Sequence, residues 1–234
     1  MSAFKTTPRL DEIMQLPLIA QRTPEWFELR KSKLTGSIID TVLKTNPYQT
    51  AEALVCEKAG MPNNFSGNEA TQHGTKYEPF AVTEYEKRTH RKVLEFGLIA
   101  HATHPQLAYS PDGVSVDPSG RTAPILLEIK CPLRRKITDK VPSYYQHQLN
   151  LGMDVFDLDM THFVQFKPSE VFGEEVFHLT EVKRVRGWLD AHAQTIEQFW
   201  QEVEKWKQIG WYKHPTAIRV LEEGRLHEFM EQWL

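Results

Sequence analysis

An apolar segment that carries two charged residues most strongly limits how this chain can fold. Residues 124–131 are rich in isoleucine and leucine and end before Pro132, which predicts a buried β-strand. Side chains alternate along a strand, so Glu128 and Lys130 share one face while Ile129 points toward the core. Because burying an unpaired charge is costly, Glu128 and Lys130 are expected to have a partner or a metal ion.

A Pro-Asp-Gly turn precedes this strand in the sequence. Asp112 lies at a position from which a β-hairpin would bring its carboxylate beside that of Glu128. Two convergent carboxylates suit Mg²⁺ or Mn²⁺, and Lys130 beside them can hold a water or stabilise developing negative charge. These parts predict metal-assisted phosphodiester hydrolysis. The residues alone leave a second interpretation open, namely an ordinary turn followed by a Glu–Lys pair on an edge strand.

Alternating helix and strand patterns indicate a mixed α/β domain. Helices are predicted over residues 24–32, 35–43, 77–88 and 143–153, and a long amphipathic helix from Val185 onward. Strands are predicted over residues 93–101, 107–109, 124–131, 158–166 and 175–179. No internal repeat or low-complexity linker interrupts the sequence, which favours one domain.

Composition argues against several classes of protein. The sequence has no apolar run of about 20 residues, as a transmembrane helix requires, and it begins without a secretion-signal pattern. A cytosolic location without a membrane partner is therefore the expectation. Cys56 and Cys131 are too few for a disulfide framework or an iron–sulfur cluster and are expected to be buried apolar residues. With a net charge of -3, nucleic-acid binding would depend on local basic clusters, and charge alone favours a solvated surface as their explanation.

Five short sequence blocks follow one another between residues 21 and 166. They are Trp26-x-x-x-Arg30 with Thr35-Gly36-Ser37, Gly74-x-x-Tyr77-Glu78, Ser110-Pro111-Asp112-Gly113, Leu127-Glu128-Ile129-Lys130-Cys131-Pro132, and Tyr144 with Gln146-His147-Gln148. In this order they resemble the YqaJ-type viral recombinase family of the PD-(D/E)xK nuclease superfamily, in which the first block ends Thr-(Ala/Gly)-Ser. Each block is weak by itself, whereas the ordered set is specific.

The resemblance implies a role for each residue of the acidic cluster. Asp112 and Glu128 would be metal ligands, with the main-chain carbonyl of Ile129 as a third. Lys130 would orient the attacking water. Glu78 would line the site from a helix and polarise metal-bound water or bind a metal through water.

The resemblance also implies residues that hold the DNA end. Arg30 and Ser37 would bind the 5′-phosphate, which agrees with bidentate phosphate recognition by arginine and with the position of Ser37 near a predicted helix start. Gln146 would contact the active site or the scissile region as a catalytic residue. The spacing around Tyr144 leaves Gln148 as the alternative for that role.

The activity implied by the resemblance is a Mg²⁺-dependent 5′-to-3′ exonuclease that digests one strand of double-stranded DNA. It would act with two metal ions, with Mn²⁺ as a substitute, release mononucleotides and leave a 3′ single-stranded overhang for recombination by strand annealing. Family members work on DNA ends as ring-shaped homotrimers with a single-strand annealing recombinase. Their setting is a phage or prophage in the cytoplasm of a bacterial host cell.

The fold implied is a restriction-endonuclease-like α/β core with a central mixed sheet flanked by helices. It would form a single nuclease domain over residues 1–234, with the motifs in about 21–180 and a helical segment over about 184–234. Two rival functions remain at this point, a PD-(D/E)xK endonuclease and a non-catalytic DNA-binding scaffold. An end-phosphate anchor argues against the endonuclease, and the complete acidic set with its lysine argues against the scaffold.

Overall fold

The chain folds into two compact units. A computed structural model describes residues 4–63 and 67–223. The first unit comprises Met1–Ser37 and Ser66–Arg186, and the second comprises Ile38–Phe65 and Gly187–Leu234. Every residue assigned a role from the sequence lies in the first unit. The expected single nuclease domain over residues 1–234 stays a prediction.

Helices and strands alternate along the described part of the chain. The helices are α1 (Pro8–Ile13), α2 (Pro24–Lys31), α3 (Ile39–Val42), α4 (Ala51–Lys58), α5 (Glu69–Thr89), α6 (Gln146–Phe156), α7 (Ser169–Phe172), α8 (Trp188–Ile209) and α9 (Pro215–Glu222). The strands are β1 (Leu34–Thr35), β2 (Lys92–Leu94), β3 (Ile99–Ala100), β4 (Leu107–Tyr109), β5 (Gly113–Val116), β6 (Ile125–Lys130), β7 (Met160–Lys167) and β8 (Val176–Lys183). Short 3₁₀ turns cover Gly36–Ile38, Ser143–Tyr145 and Trp211–Lys213.

The first unit contains two sheets. The larger has the strand order β2-β5-β6-β7-β8, and the smaller has the order β1-β4-β3. In the larger sheet only β6 and β7 run parallel, with Glu128 paired to Phe163, while the other neighbours are antiparallel. In the smaller sheet β1 runs parallel to β4, which pairs Thr35 with Ala108. The central sheet is therefore mixed, as expected.

Strand β6 separates two packing layers. On one face Leu127, Ile129 and Cys131 belong to a buried cluster with Tyr77 and other residues of α5. On the other face α6 approaches closely, because a Cβ added at Gly152 would lie 2.6 Å from the side chain of Leu126. The predicted alternation of charged and apolar residues along this strand is confirmed.

Several elements differ from the sequence-based expectation. Helix α5 begins well before residue 77, because Asn68 caps it by accepting a hydrogen bond from the Thr71 amide, and it continues through Pro79. The strand expected over residues 93–101 is two short strands in different sheets. The helix expected over 35–43 is a 3₁₀ turn followed by the four-residue α3.

The second unit is helical among its described residues. Helix α8 buries Trp188, Ile196, Phe199 and Val203, so a long amphipathic helix forms as predicted, although it begins at Trp188 and not at Val185. It packs against α3 and α4, and α4 also packs against α9. In the part of the chain that the structure describes, every helix is too short or too polar to span a bilayer.

Candidate active site

The Pro-Asp turn and strand β6 bring two carboxylates together. Strands β5 and β6 are antiparallel, and Gly113 pairs with Leu127. The next residues along the two strands, Asp112 and Glu128, therefore lie opposite each other. Oδ2 of Asp112 accepts a hydrogen bond from the main-chain N–H of Ile129 at 2.6 Å. The hairpin expected from the sequence forms and places both carboxylates at its base.

Three side chains hold the carboxylate of Glu128, which is 2% exposed. Lys130 Nζ and Gln148 Nε2 donate to Oε1 at 2.5 and 2.6 Å. The hydroxyl of Tyr109 donates to Oε2 at 2.6 Å. The lysine nitrogen also lies 4.9 Å from the centre of the Tyr145 ring. The expected partner of the buried Glu128 is therefore Lys130, joined by two neutral donors.

The electrostatics of the cluster follow from burial and crowding. Burial raises the pKa of Asp112 well above its usual value, and the charges of Glu128 and Glu78 raise it further, against the opposing charge of Lys130. Burial alone would lower the pKa of Lys130, but Glu128 and Asp112 outweigh that effect and raise it. The lysine is therefore a stable cation among carboxylates that outnumber it.

The donor set fits a hard divalent cation such as Mg²⁺. Two buried carboxylates repel each other, and a cation between them would relieve the repulsion. Oδ1 of Asp112 accepts no hydrogen bond from the described residues, so it is available as a ligand. Within residues 4–63 and 67–223 no three His, Cys, Asp or Glu side chains are grouped to hold a metal ion. Two carboxylates and a main-chain carbonyl suffice for Mg²⁺, because this ion keeps several waters.

Glu78 reaches the site from helix α5. It lines two clefts together with Asp112, one of about 520 Å³ that includes Lys130 and Tyr145, and one of about 470 Å³ that includes Arg22. The Arg22 guanidinium donates to Oε2 of Glu78 at 2.6 Å. The structure thus brings Glu78 beside the carboxylate pair, as the resemblance implies.

The first sequence block is connected to the Pro-Asp turn by direct contacts. The Trp26 indole N–H donates to Oγ of Ser110 at 2.9 Å. The guanidinium of Arg30 lies 4.4 Å from the centre of the Trp26 ring and donates to Oγ of Ser37 at 2.8 Å. Burial lowers the pKa of Arg30. Arg30 and Ser37 therefore form one polar group, joined to the residue two positions before Asp112.

The structure favours one of the two glutamines for direct contact with the acidic cluster. Gln148, and not Gln146, donates to Glu128. The catalytic role of Gln146 stays a prediction.

His73 is buried on α5 against the Tyr77 ring, and its Nε2 has no hydrogen-bond partner among the described residues. Cys131 is buried, as expected, and burial raises the pKa of its thiol to about 12.

Sequence reasoning did not identify three residues that support the site. Tyr109 holds Glu128 and Arg22 holds Glu78. Gln21 donates to the carbonyl of Pro111 at 2.8 Å and to that of Phe96 at 3.0 Å, which fixes the turn before Asp112. The available signal was position, because Tyr109 directly precedes the Ser-Pro-Asp block, and Gln21 and Arg22 lie a few residues before Trp26.

Comparison of the sequence with known proteins agrees with the motif order. The YqaJ-like viral recombinase domain matches residues 25–159, which include all five blocks. An uncharacterised protein of Acanthamoeba polyphaga mimivirus is 33% identical over 186 residues, which are 74% of this chain and 34% of the viral protein. The chain spans less than half the length of the viral relatives that it matches.

Solved structures of exonucleases share the fold. The alkaline exonuclease of Laribacter hongkongensis is 27% identical, with a TM-score of 0.63 over 80% of this chain and 95% of that chain. Its complex with dAMP matches with a TM-score of 0.64. A phage-related exonuclease of Haemophilus somnus, 13% identical with a TM-score of 0.56, covers 74% of this chain and 94% of its own. The restriction-endonuclease-like core is therefore confirmed, and this chain belongs to the YqaJ-like viral recombinase family.

Proposed function

We propose that this chain is a Mg²⁺-dependent exonuclease that digests one strand of double-stranded DNA from its 5′ end. One observation carries the proposal: the turn that holds Asp112 opposite Glu128 is linked to the Arg30–Ser37 pair. The link is Trp26, which donates a hydrogen bond to Ser110 and lies in cation–π contact with Arg30. A hydrolytic centre next to an anion-binding group is suited to cutting a DNA strand near its terminal phosphate. The likeness to an alkaline exonuclease, solved also with dAMP, supports a DNA substrate and release of mononucleotides.

The chemistry divides among the residues of the acidic cluster. Asp112 and Glu128 would hold Mg²⁺ together with the main-chain carbonyl of Ile129; Mn²⁺ would substitute, and two ions would act in the active complex. A bound ion supplies Lewis acidity toward the phosphodiester. Lys130, fixed as a cation by the neighbouring carboxylates, orients the attacking water. Glu78 completes the acidic side of the cleft and would polarise metal-bound water or bind a metal ion through water.

The end of the substrate strand would meet Arg30 and Ser37. A terminal phosphate carries more negative charge than an internal diester. A guanidinium can meet such a phosphate with two parallel hydrogen bonds, and a hydroxyl adds a third donor. The indole of Trp26 supports the guanidinium from one side, so the cation is oriented before the phosphate arrives.

The assembly and partners complete the proposal. A homotrimeric ring would surround the duplex, and the 3′ overhang would pass to a single-strand annealing recombinase in the cytoplasm of a bacterial host. The ring suits a chain with a net charge of -3, because basic residues can line a central channel while acidic residues face outward. Light scattering of the purified chain tests the trimer separately from the activity.

The decisive experiment compares linear and covalently closed circular duplexes in the presence of Mg²⁺. The proposed exonuclease releases mononucleotides from 5′-phosphorylated linear DNA, leaves a 3′ single-stranded tail and spares the circle. An endonuclease would cut both substrates, and a DNA-binding scaffold would cut neither. Asp112→Asn is the matched control, because it keeps the size of the side chain and removes the ligand charge.

A further inference from the structure

We propose that Tyr109 is a positioning residue that fixes the carboxylate of Glu128 and directs Oε2 toward the metal ion. This inference rests on the proposed function, in which Glu128 is a metal ligand. Tyr109 lies on strand β4, in the smaller sheet, and is 1% exposed. Its hydroxyl is 2.6 Å from Oε2 of Glu128.

The hydrogen bonds of Glu128 distinguish its two oxygens. Each carboxylate oxygen has about two lone-pair directions. Oε1 already accepts from Lys130 and from Gln148, so both of its directions are used. Oε2 accepts only from Tyr109 among the described residues, which leaves one direction for a cation. The three donors together therefore select which oxygen faces the ion.

The fold holds the Tyr109 ring in place from two sides. A Cβ added at Gly36 would lie 2.4 Å from the ring, and one added at Gly152 would also lie 2.6 Å from it. Such distances are too short for a real Cβ, so both positions need glycine while the ring is present. The ring cannot swing away between these two backbones, and its hydroxyl stays on Glu128.

The position of Gly36 gives this arrangement a second consequence. Gly36 directly precedes Ser37 of the proposed phosphate anchor, and its Cα faces the same ring whose hydroxyl holds Glu128. Tyr109 therefore packs between the end-binding block and the metal-binding carboxylate. The distance between these two parts of the site is set by one rigid aromatic side chain.

The alternative is that Tyr109 only fills the core and that its hydroxyl uses the nearest acceptor. The variant Tyr109→Phe separates the two explanations, because it keeps the ring between the glycines and removes one oxygen. The matched control is Tyr85→Phe. Tyr85 is equally buried, and its hydroxyl lies 2.7 Å from both Ser115 and His162, in the layer of α5 on the opposite face of the sheet.

Binding of Mn²⁺ to the full chain without DNA, followed by calorimetry and by the paramagnetic resonance of free Mn²⁺, measures the effect directly. Loss of a group that orients a metal ligand typically weakens metal affinity or activity about 10- to 100-fold. We expect Tyr109→Phe to weaken Mn²⁺ binding about tenfold and to raise the half-saturating Mg²⁺ concentration by a similar factor. KM for DNA at saturating Mg²⁺ should stay the same, and Tyr85→Phe should bind Mn²⁺ like the wild type.

The outcomes keep this inference separate from the proposed function. Equal Mn²⁺ affinity in wild type and Tyr109→Phe, both folded by circular dichroism, would overturn the inference while leaving the exonuclease proposal intact. An equal loss in Tyr85→Phe would also overturn it, since the effect would then be general. A Tyr109→Phe chain that does not fold would assign the hydroxyl to folding instead. A wild type that neither binds Mn²⁺ nor digests DNA would contradict the proposed function itself.

Discussion

The two faces of strand β6 show how one short strand serves both folding and chemistry. Toward α5, Leu127 and Ile129 belong to a closed apolar cluster. On the opposite face, Glu128 is as deeply buried and Lys130 is partly buried, and hydrogen bonds hold them to each other and to neighbouring donors. Because alternate residues carry stability and chemistry, substitutions of adjacent residues should have separable effects. Lys130→Ala and Leu127→Ala test that separation on β6 itself.

Lys130→Ala should lower the cleavage rate by about 10³-fold or more. Loss of a general acid or base typically costs about 10²- to 10⁴-fold in rate. DNA binding should change little, because the lysine acts mainly in the transition state and is one of several cations near the cleft. Single-turnover rates and a filter-binding assay measure the two quantities. Lys183→Ala, an exposed lysine at the end of β8, is the control. Cleavage by Lys130→Ala at the wild-type rate would remove the lysine from the chemistry.

Leu127→Ala should have the opposite signature on the other face. Leu127 is fully buried, and truncation of a buried leucine typically lowers the free energy of unfolding by about 2–5 kcal/mol. Urea unfolding measures the loss. At a temperature where the variant is folded, its cleavage rate should remain close to that of the wild type. A rate loss as large as that of Lys130→Ala in the folded variant would contradict the separation of the two faces.

Arg30→Ala should selectively slow digestion of 5′-phosphorylated ends. A lost charge-assisted contact costs roughly 1.5–3 kcal/mol, or about ten- to a hundredfold in the affected step. A 5′-hydroxyl end cannot make the contact and should lose little. The measured quantity is the ratio of initial rates on the two ends at one salt concentration.

The neighbour Lys31 provides the control for Arg30. It is exposed and pairs with Glu28 three residues earlier on the same helix, so Lys31→Ala should leave the ratio unchanged. An unchanged ratio in Arg30→Ala would show that this arginine supports the helix and not the substrate. The strongest argument for an exonuclease over an endonuclease would then fail.

The smallest expected effect is a pH dependence of the free energy of unfolding, caused by His162 on the apolar side of the sheet. Burial lowers the pKa of His162 from 6.5, against the opposing charge of Glu181. The unfolded chain therefore protonates His162 more readily than the folded chain does. The contribution of neutral His162 to stability is complete above pH 6.5 and decreases as the pH falls toward the pKa of the folded state. Urea unfolding across that range should show a flatter dependence in His162→Gln. A slope identical to that of the wild type would exclude the histidine as its source.

The sequence was sufficient to predict local elements and the pairing that matters most. The helix start at Pro24 was predictable because Thr23 and Pro24 are a standard cap and first residue, and the structure shows the Thr23 side chain accepting from the Trp26 amide. The approach of Asp112 to Glu128 was predictable because the Pro-Asp-Gly segment leads directly into β5, which pairs antiparallel with β6. The first signal is contained in neighbouring residues, and the second in two blocks that are close in the sequence.

The supporting residues could not be predicted because their partners are distant in sequence. Tyr109 meets Glu128 across two different sheets, and Arg22 meets Glu78 across 56 positions in the chain. Arg22 also has a left-handed backbone, with φ of 66°, which no residue-type preference would indicate. Helix α5 was predicted too short, because Gly74 and Pro79 suggested an interruption that the tertiary packing does not impose.

The close packing of Gly36 and Gly152 against the Tyr109 ring restricts how the family can diverge. A methyl group at position 36 is compatible with this backbone only after the aromatic ring has been replaced by something smaller. Positions 36 and 109 should therefore show strong epistasis. Gly36→Ala alone should be harmful, and Tyr109→Ala in the same chain should make it tolerable. Relatives that have alanine in the Thr-(Ala/Gly)-Ser block should carry a small side chain immediately before their Ser-Pro-Asp block, and must hold the equivalent of Glu128 by another donor.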